Sequence, residues 1–411
     1  MIHTPIIDCF IRGKGVTVPD SIYTPFPQNG LSQDQVRIHL EKKLEADLRF
    51  NSGRILGSMC SSPDPAAADI FSSYLERNIG DPGLHPDLAD LEEETIRIIG
   101  TLLHNHGTVG AIVSGGTEAN LLALWTAKNR TSKQCREVVL PETAHFSFDK
   151  AAGLMDLTLL KIPVDRDNRV DIEQYRKAVG PRTMALVGIA GTTGLGAVDP
   201  LELISDIAVE KDLYFHVDAA FGGFVLPFLE SAGYPYTGSA FDFLLPGVDS
   251  ITIDPHKMGR APIPAGCILY RNDDIAGHST TDVSYLSGGH TRQRTIVGTR
   301  SGASVAAVWS LLMMLGFKGY SAVIKKCMHT THWLKNQIET VEGIRIVMEP
   351  VINVLGIQPD RIPAEVLSAR LRQRGFALSL FPGFLRISMM PHLSKEHLSR
   401  FLEVLQEEAR S

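Results

Sequence analysis

Asp218 and Lys257 are the two residues whose types and positions most readily suggest chemistry. Asp218 ends the apolar run Leu213-Tyr214-Phe215-His216-Val217. Lys257 closes Asp254-Pro255-His256-Lys257, directly after the run Ser250-Ile251-Thr252-Ile253. Each run is short, rich in aromatic or β-branched residues and bounded by small residues or proline, the pattern of a buried β-strand. In an open α/β sheet, ligands bind beyond the carboxyl ends of the strands. A carboxylate and an amine therefore leave two strands on the face where chemistry usually sits. Taken singly, Asp218 reads as a turn cap and Lys257 as a solvated lysine, because short motifs match by chance. The second carboxylate, Asp254, and the neighbouring His256 favour a joint role.

That role has a chemical form. A lysine amine forms a Schiff base with pyridoxal 5'-phosphate (PLP). A buried carboxylate keeps the pyridine nitrogen protonated, so that the ring draws electrons from a substrate Cα. A phosphate group would need its own cradle, and one candidate is Ala111-Ile112-Val113-Ser114-Gly115-Gly116-Thr117-Glu118-Ala119-Asn120. Here an apolar run turns through two glycines into a helix. The free N–H groups and positive dipole end of a helix start suit an anion. The segment lacks the Gly-Lys-Ser/Thr of a nucleotide P-loop and the three spaced glycines of a dinucleotide fingerprint. The competing reading is a plain helix start capped by Ser114 or Thr117.

Composition narrows the classes. The 411 residues suffice for two or three compact units, with 21% charged and 44% apolar residues, an ordinary globular balance. A net charge of −6 argues against a general nucleic-acid partner and leaves anionic ligands to local positive groups. The sequence shows no unbroken apolar run of membrane-spanning length and no secretory pattern at its start, so no membrane partner is expected. Cys9, Cys60, Cys135, Cys267 and Cys327 are odd in number and widely spaced, without a CxxC pair. This usage fits free thiols in the cytoplasm better than a disulfide framework or a metal site.

The elements that must position these residues follow in order. Residues 1–31 read as an irregular arm, lying on a partner subunit, disordered, or upstream of the natural start. Ser32 caps a helix predicted to reach about Arg49, with Val36, Leu40, Leu44 and Leu48 on one face. Residues 32–80 form an N-terminal helical segment. From 81 to 315 strands and helices alternate, which predicts an α/β unit around a mainly parallel seven-stranded sheet. Residues 271–300 interrupt the alternation with a long polar, glycine-containing segment outside the sheet, of the kind that forms functional lids. Two helices follow, about Ala303–Leu315 and Tyr320–Thr340. Residues 316–411 read as a smaller α+β C-terminal domain.

Together the motifs carry a resemblance. Ser114-Gly-Gly-Thr-Glu-Ala-Asn120, Ala144-His145, His216-Val-Asp-Ala-Ala220, Asp254-Pro-His-Lys257 and Gly298-Thr-Arg-Ser-Gly302 stand in the order of the PLP-dependent group II amino-acid decarboxylases. Gly57-Ser-Met-Cys60, Asn78-Ile-Gly-Asp-Pro82 and Arg386-Ile-Ser-Met-Met-Pro-His392 most closely resemble the archaeal-type tyrosine/aspartate decarboxylases. The resemblance runs from about residue 32 to the C-terminus. It implies PLP fold type I and a homodimer with active sites at the subunit interface. It implies that Lys257 carries PLP, that Asp218 pairs with the pyridinium nitrogen, and that His145 and Ala220 lie against opposite ring faces. Gly116 and Thr117 would hold the phosphate, with His256 and Asp254 nearby. Thr192 or Thr193 would line the ring edge. Gly298 and Thr299 would reach the partner's cofactor. Tyr285 corresponds to a loop tyrosine that protonates Cα, unless it only covers apolar surface. Arg386 corresponds to a carboxylate-binding arginine, unless it forms a structural ion pair.

The implied reaction is loss of CO₂ from an L-amino acid, with Tyr285 or His145 returning a proton to Cα. Tyrosine would give tyramine for methanofuran, and aspartate would give β-alanine for coenzyme A. Arg12, Arg54, Arg292, Arg294 and Arg300 are candidate anchors for a β-carboxylate. His85-Pro86-Asp87 departs from the family pattern, where relatives tend to carry a Phe-Pro-Gly-type loop, so the resemblance does not carry over to the pocket rim. A lyase of the sphingosine-phosphate type shares the Asp/His/Lys frame. A non-catalytic PLP-binding protein is the alternative from another class, and retention of both Asp218 and Lys257 argues against it.

Overall fold

The protein is described here by a computed structural model covering residues 26–131, 134–238 and 240–410. It divides into two compact units, Met1–Leu48 and Arg49–Ser411. Arg12 and most of the expected N-terminal arm lie outside the described residues.

In the first unit, helix α1 spans Gln33–Lys43. Ser32 accepts a hydrogen bond from the Gln35 N–H while the Gln35 side chain accepts from the Ser32 N–H, a complete capping box. The helix stops at Lys43, one to two turns short of the expected Arg49. Val36, Leu40 and Leu44 are all exposed.

The second unit begins with helices α2 (Pro65–Ser73) and α3 (Pro86–Leu102), each opened by a proline. Strand and helix then alternate through β1 (Val109–Val113), α4 (Gly116–Arg130), β2 (Glu137–Pro141) and α5 (Ser147–Met155). The alternation continues with β3 (Thr158–Ile162), α6 (Ile172–Ala178), β4 (Thr183–Ile189) and α7 (Leu201–Lys211). Three strands complete the main sheet, β5 (Tyr214–Asp218), β6 (Val248–Ile253) and β7 (Gly266–Tyr270). The spatial order is β1-β7-β6-β5-β4-β2-β3. Only β7 runs against its neighbours, so the expected mainly parallel seven-stranded α/β sheet is present.

Both faces of that sheet are covered. In β4 the fully buried Leu186 enters one core and its neighbours Ala185 and Val187 enter another, the period of two that a strand imposes. The residues after β7 stay outside the main sheet, as expected, but have regular structure of their own where a loop was expected. A short helix α8 (Asp273–Gly277) leads into a hairpin of β8 (Thr281–Leu286) and β9 (Gly289–Gln293). Gly288 and Gly289, both at positive φ, turn it.

The two helices expected next are present, joined end to end at Gly316, which breaks the helix with φ 52° and ψ −170°; together they span Gly302–Ile338 and are labelled α9. By length and composition α9 could cross a membrane. However, Val305, Val308 and Leu311 enter the large core, and Leu334 and Ile338 a smaller one. The smaller core lies under a four-stranded antiparallel sheet, ordered β10 (Ile344–Ile346), β11 (Val354–Pro359), β13 (Phe384–Ser388), β12 (Ser379–Phe381). Helices α10 (Ala364–Gln373) and α11 (Lys395–Arg410) complete this C-terminal layer. Leu56 belongs to the same small core, so a segment expected to be N-terminal packs with the C-terminal layer.

Candidate active site

Strand direction assembles the site. β4, β5 and β6 are mutually parallel, and β2 is parallel to β4. β1 and β6 each run antiparallel to β7, so β1 points the same way as β6. Five carboxyl ends therefore open on one edge. They deliver the start of α4 after β1, His145 after β2, the Gly191 turn after β4, Asp218 at the end of β5 and Lys257 after β6. Here a cavity of about 350 Å³ is lined by Gly116, Thr117, His145, Asp218, Ala220, Asp254, His256 and Lys257, eight of the residues expected from the sequence. Met59, Phe146, Phe221 and Thr193 also face it.

The electrostatics centre on Lys257. Its Nζ lies 3.1 Å from Asp254 Oδ2. Burial alone would lower the ammonium's pKa, but Asp254 and then Asp218 outweigh burial, and the net shift is upward. The amine thus rests protonated and must lose that proton before it can act as a nucleophile. His256 Nε2 lies 3.5 Å from Asp254 Oδ2, and His256 Nδ1 accepts from the Ala265 N–H. Burial lowers both His145 and His256, so each favours its neutral form. The Asp218 carboxylate accepts from the Ala220 N–H at 3.0 Å and from Asn120 Nδ2 at 2.9 Å.

Four expected site residues lie elsewhere. Thr192 turns away, its hydroxyl accepting from the Ala197 N–H, and Thr193 takes the place at the wall. Thr299 lines a separate cavity with Glu118 and Arg300. Tyr285 stands on the hairpin, 87% exposed. Arg386 is not at the cavity surface but stands behind Thr193, donating from Nη1 to the Thr193 carbonyl at 2.6 Å. Its Nη2 donates to the Gly57 carbonyl and to Ser379 Oγ. Arg386 is 6% exposed with Nε unpartnered, and burial lowers it to about 10. The other expected anchors are committed: Arg54 to a backbone carbonyl, Arg292 and Arg294 to Asp273, and Arg300 to Glu92.

Sequence reasoning assigned no role to Asn120 or Ser147. Asn120 lies one helical turn beyond Gly116, on the same face of α4, and that spacing was the available signal.

The chain's own groups fit PLP. No side chain caps α4 at Gly115, which leaves the first N–H groups of the helix open toward the cavity. Ser114, an expected cap, instead gives both its N–H and its hydroxyl to Glu118. A Cβ on Gly116 would come within 2.9 Å of Asp254 Oδ2 and 3.3 Å of Ala220, so glycine keeps that space clear. Asp254 Oδ1 is buried without a partner, an acceptor left for a bound donor.

Comparison with known proteins agrees. Residues 58–356 match the pyridoxal-dependent decarboxylase conserved domain. The L-aspartate decarboxylase of Thermococcus kodakarensis is 44% identical over 385 residues, 94% of this chain and 99% of that protein. A protein of Methanothermobacter thermautotrophicus named a probable L-tyrosine/L-aspartate decarboxylase is 42% identical over 361 residues, 87% of this chain and 98% of its own. Among solved structures, the sphingosine-1-phosphate lyase Bpss2021 of Burkholderia pseudomallei superposes with a TM-score of 0.86 at 28% identity, covering 94% of this chain and 93% of its own. With its α/β sheet, its Lys257–Asp218 cavity and a domain match over most of its length, the chain belongs to the family of pyridoxal-dependent decarboxylases and is a PLP-dependent amino-acid carboxy-lyase.

Proposed function

We propose that the enzyme acts on a short acidic L-amino acid, L-aspartate first, releasing CO₂ and β-alanine. The observation that carries this reading is the small cavity, whose Thr193 wall is braced from behind by Arg386, a buried guanidinium with no carboxylate partner among the described residues. Three of its five N–H donors are taken by Thr193, Gly57 and Ser379, and the unpartnered Nε–H is among those that remain. The cavity lies at the small end of the usual ligand-pocket range of about 300–1,000 Å³ and must hold cofactor and substrate together, which favours a short side chain. The identity to the Thermococcus aspartate decarboxylase supports the same choice. Tyrosine is the second reading, favoured by Phe146, 56% exposed at the cavity wall, and by the Methanothermobacter relative.

The chemistry PLP supplies when bound is an electron sink for the pair left on Cα when CO₂ departs. Lys257 would hold it covalently, Asp218 would sit at its pyridine nitrogen, and Gly116, Thr117 and His256 would meet its phosphate. Lys257 gives up the proton that Asp254 and Asp218 help it hold. His145 covers the site and offers a hydrogen bond from its ring. Thr193 meets the substrate at the cavity wall, and Arg386 braces that wall from behind through the Thr193 carbonyl. Tyr285 and Thr299 stand outside the single-chain cavity, and the exposed Val36, Leu40 and Leu44 stripe wants a partner surface. Both support a homodimer in which one subunit completes the other's site.

The test is CO₂ release from a panel of L-amino acids by wild type, Lys257→Ala and Arg386→Met. Release from aspartate that Lys257→Ala abolishes, and that Arg386→Met weakens chiefly through KM, supports the reading. Release from tyrosine alone would overturn it. A wild type that binds PLP but frees no CO₂, and instead cleaves a phosphorylated amino alcohol, would place it with the aldehyde-lyases.

A further inference from the structure

Asn120 is 1% exposed and sits where two of the proposed site residues meet. Its Nδ2 donates to Asp218 Oδ2 and to Ser147 Oγ, both at 2.9 Å. Ser147 Oγ lies 3.0 Å from His145 Nδ1, and the Ser147 N–H donates to the same nitrogen at 3.3 Å. On its other side, Asn120 Oδ1 accepts from Thr252 Oγ1 at 2.8 Å and meets His216 Nε2 at 3.0 Å. His216 Nδ1 lies 2.8 Å from Ser250 Oγ, which accepts from the Tyr214 hydroxyl at 2.6 Å.

We propose that Asn120 and Ser147 are positioning residues that hold His145 as the Nε2–H tautomer and tie its orientation to the Asp218 carboxylate. The inference rests on the reading of Asp218 and His145 as PLP-binding residues.

The donor directions admit one assignment. A carboxylate oxygen only accepts, so the Asn120 nitrogen faces Asp218 and its oxygen faces His216. The His216 nitrogen facing that oxygen must carry a proton. The other His216 nitrogen then accepts from Ser250, whose own oxygen is already taken by the Tyr214 hydroxyl. The neutral His216 that this needs agrees with burial, which lowers it to about 4. On the catalytic side, Ser147 Oγ accepts from Asn120 and gives its own proton to His145 Nδ1. The backbone N–H of Ser147 aims at the same nitrogen and could not face a second N–H. His145 therefore carries its proton on Nε2, which no described side chain engages.

The consequence is functional. At the cavity wall, His145 can give a hydrogen bond from Nε2 but not accept one there. The same amide that fixes this also donates to Asp218, so cofactor electronics and the proton-bearing ring are set by one side chain. A buried asparagine needs partners in any case. What goes beyond that need is the consistent polarity from Tyr214 to His145, with all four hydrogen-bonding positions of Asn120 used.

Nitrogen-15 NMR of histidine-labelled full chain, with and without PLP, reads the tautomer directly, and His145→Gln assigns the signal. In wild type we expect a pyridine-type Nδ1 and a pyrrole-type Nε2. Ser147→Ala should move both part of the way toward the averaged pattern, the backbone N–H of residue 147 still facing Nδ1, and Ser147→Thr should restore them. Asn120→Ala should do the same and also weaken PLP binding about tenfold, whereas Ser147→Ala should change it less than about twofold. A proton on Nδ1 in wild type, or a tautomer indifferent to Ser147→Ala, would overturn the proposal. If Asn120→Ala fails to fold, the Ser147 pair still decides. The parent reading fails by a different sign, loss of no PLP signal in Lys257→Ala, and does not alter the tautomer readout on the ligand-free chain.

Discussion

The strand-end cluster around Asp218 and the hairpin of β8 and β9 place reactive side chains in opposite physical settings. At the strand ends, Asp218, Asn120, His216 and Thr252 are all buried and each polar group meets a partner. The cost of burying them is offset by hydrogen bonding, and the reward is a rigid geometry and electrostatics that water does not dilute. On the hairpin, Tyr285, Arg292 and Thr291 stand over little core, and Tyr285 is almost fully exposed. A group so placed can act only where another surface comes to it. On the proposed reading, the first region is a cofactor floor completed within one chain, and the second is a part that a partner subunit would receive.

Four measurements break or sharpen that contrast, in descending order of expected effect. Lys257→Ala should abolish decarboxylation, a loss of about 10⁴-fold or more, with no Schiff-base absorbance left. Asp218→Asn should lower kcat by about 10²–10³-fold while the fold persists, because a preorganised charge is removed from the cofactor floor.

Tyr285→Phe should lower kcat by about 10–100-fold, with PLP affinity and Tm unchanged. A hybrid dimer of one Tyr285→Phe subunit and one Lys257→Ala subunit should regain activity, since one site then pairs Lys257 with the other subunit's Tyr285. No recovery would mean that the tyrosine serves its own chain or none, and the contrast between the two regions would fall.

The smallest effect concerns pH. Asp254 helps raise the Lys257 ammonium, so Asp254→Asn should move the pH midpoint of PLP loading downward. A midpoint that stays or rises would show that Asp254 does not set the amine. This variant titrates the finished floor and should leave any hairpin contribution untouched.

Much of the floor was legible beforehand because strand ends are local events. A β-branched run ending in Asp-Ala-Ala or Asp-Pro-His-Lys announces where the chain leaves the sheet, and parallel pairing aligns those exits on one edge. Thr192 and Thr193 were not separable, since a single residue of turn decides which hydroxyl faces the cavity and which accepts from Ala197. The hairpin was read as a loop because its strands, Thr281–Leu286 and Gly289–Gln293, lack an apolar face to give them period two. The division of the chain was blurred where Leu56 crosses to the C-terminal core, a contact with no local signature.

By itself the sequence determined the α/β alternation, the lysine and carboxylate at the strand ends and the glycine-opened helix start, because each follows from local periodicity and backbone freedom. The tertiary structure alone decided which side chains close on one another. It set Asn120 between Asp218 and His145, drew Arg386 behind Thr193, and left Tyr285 outside. The physical reason is that these contacts join residues far apart in the chain, and their geometry depends on how sheet, helix and C-terminal layer pack, which no short-range pattern encodes.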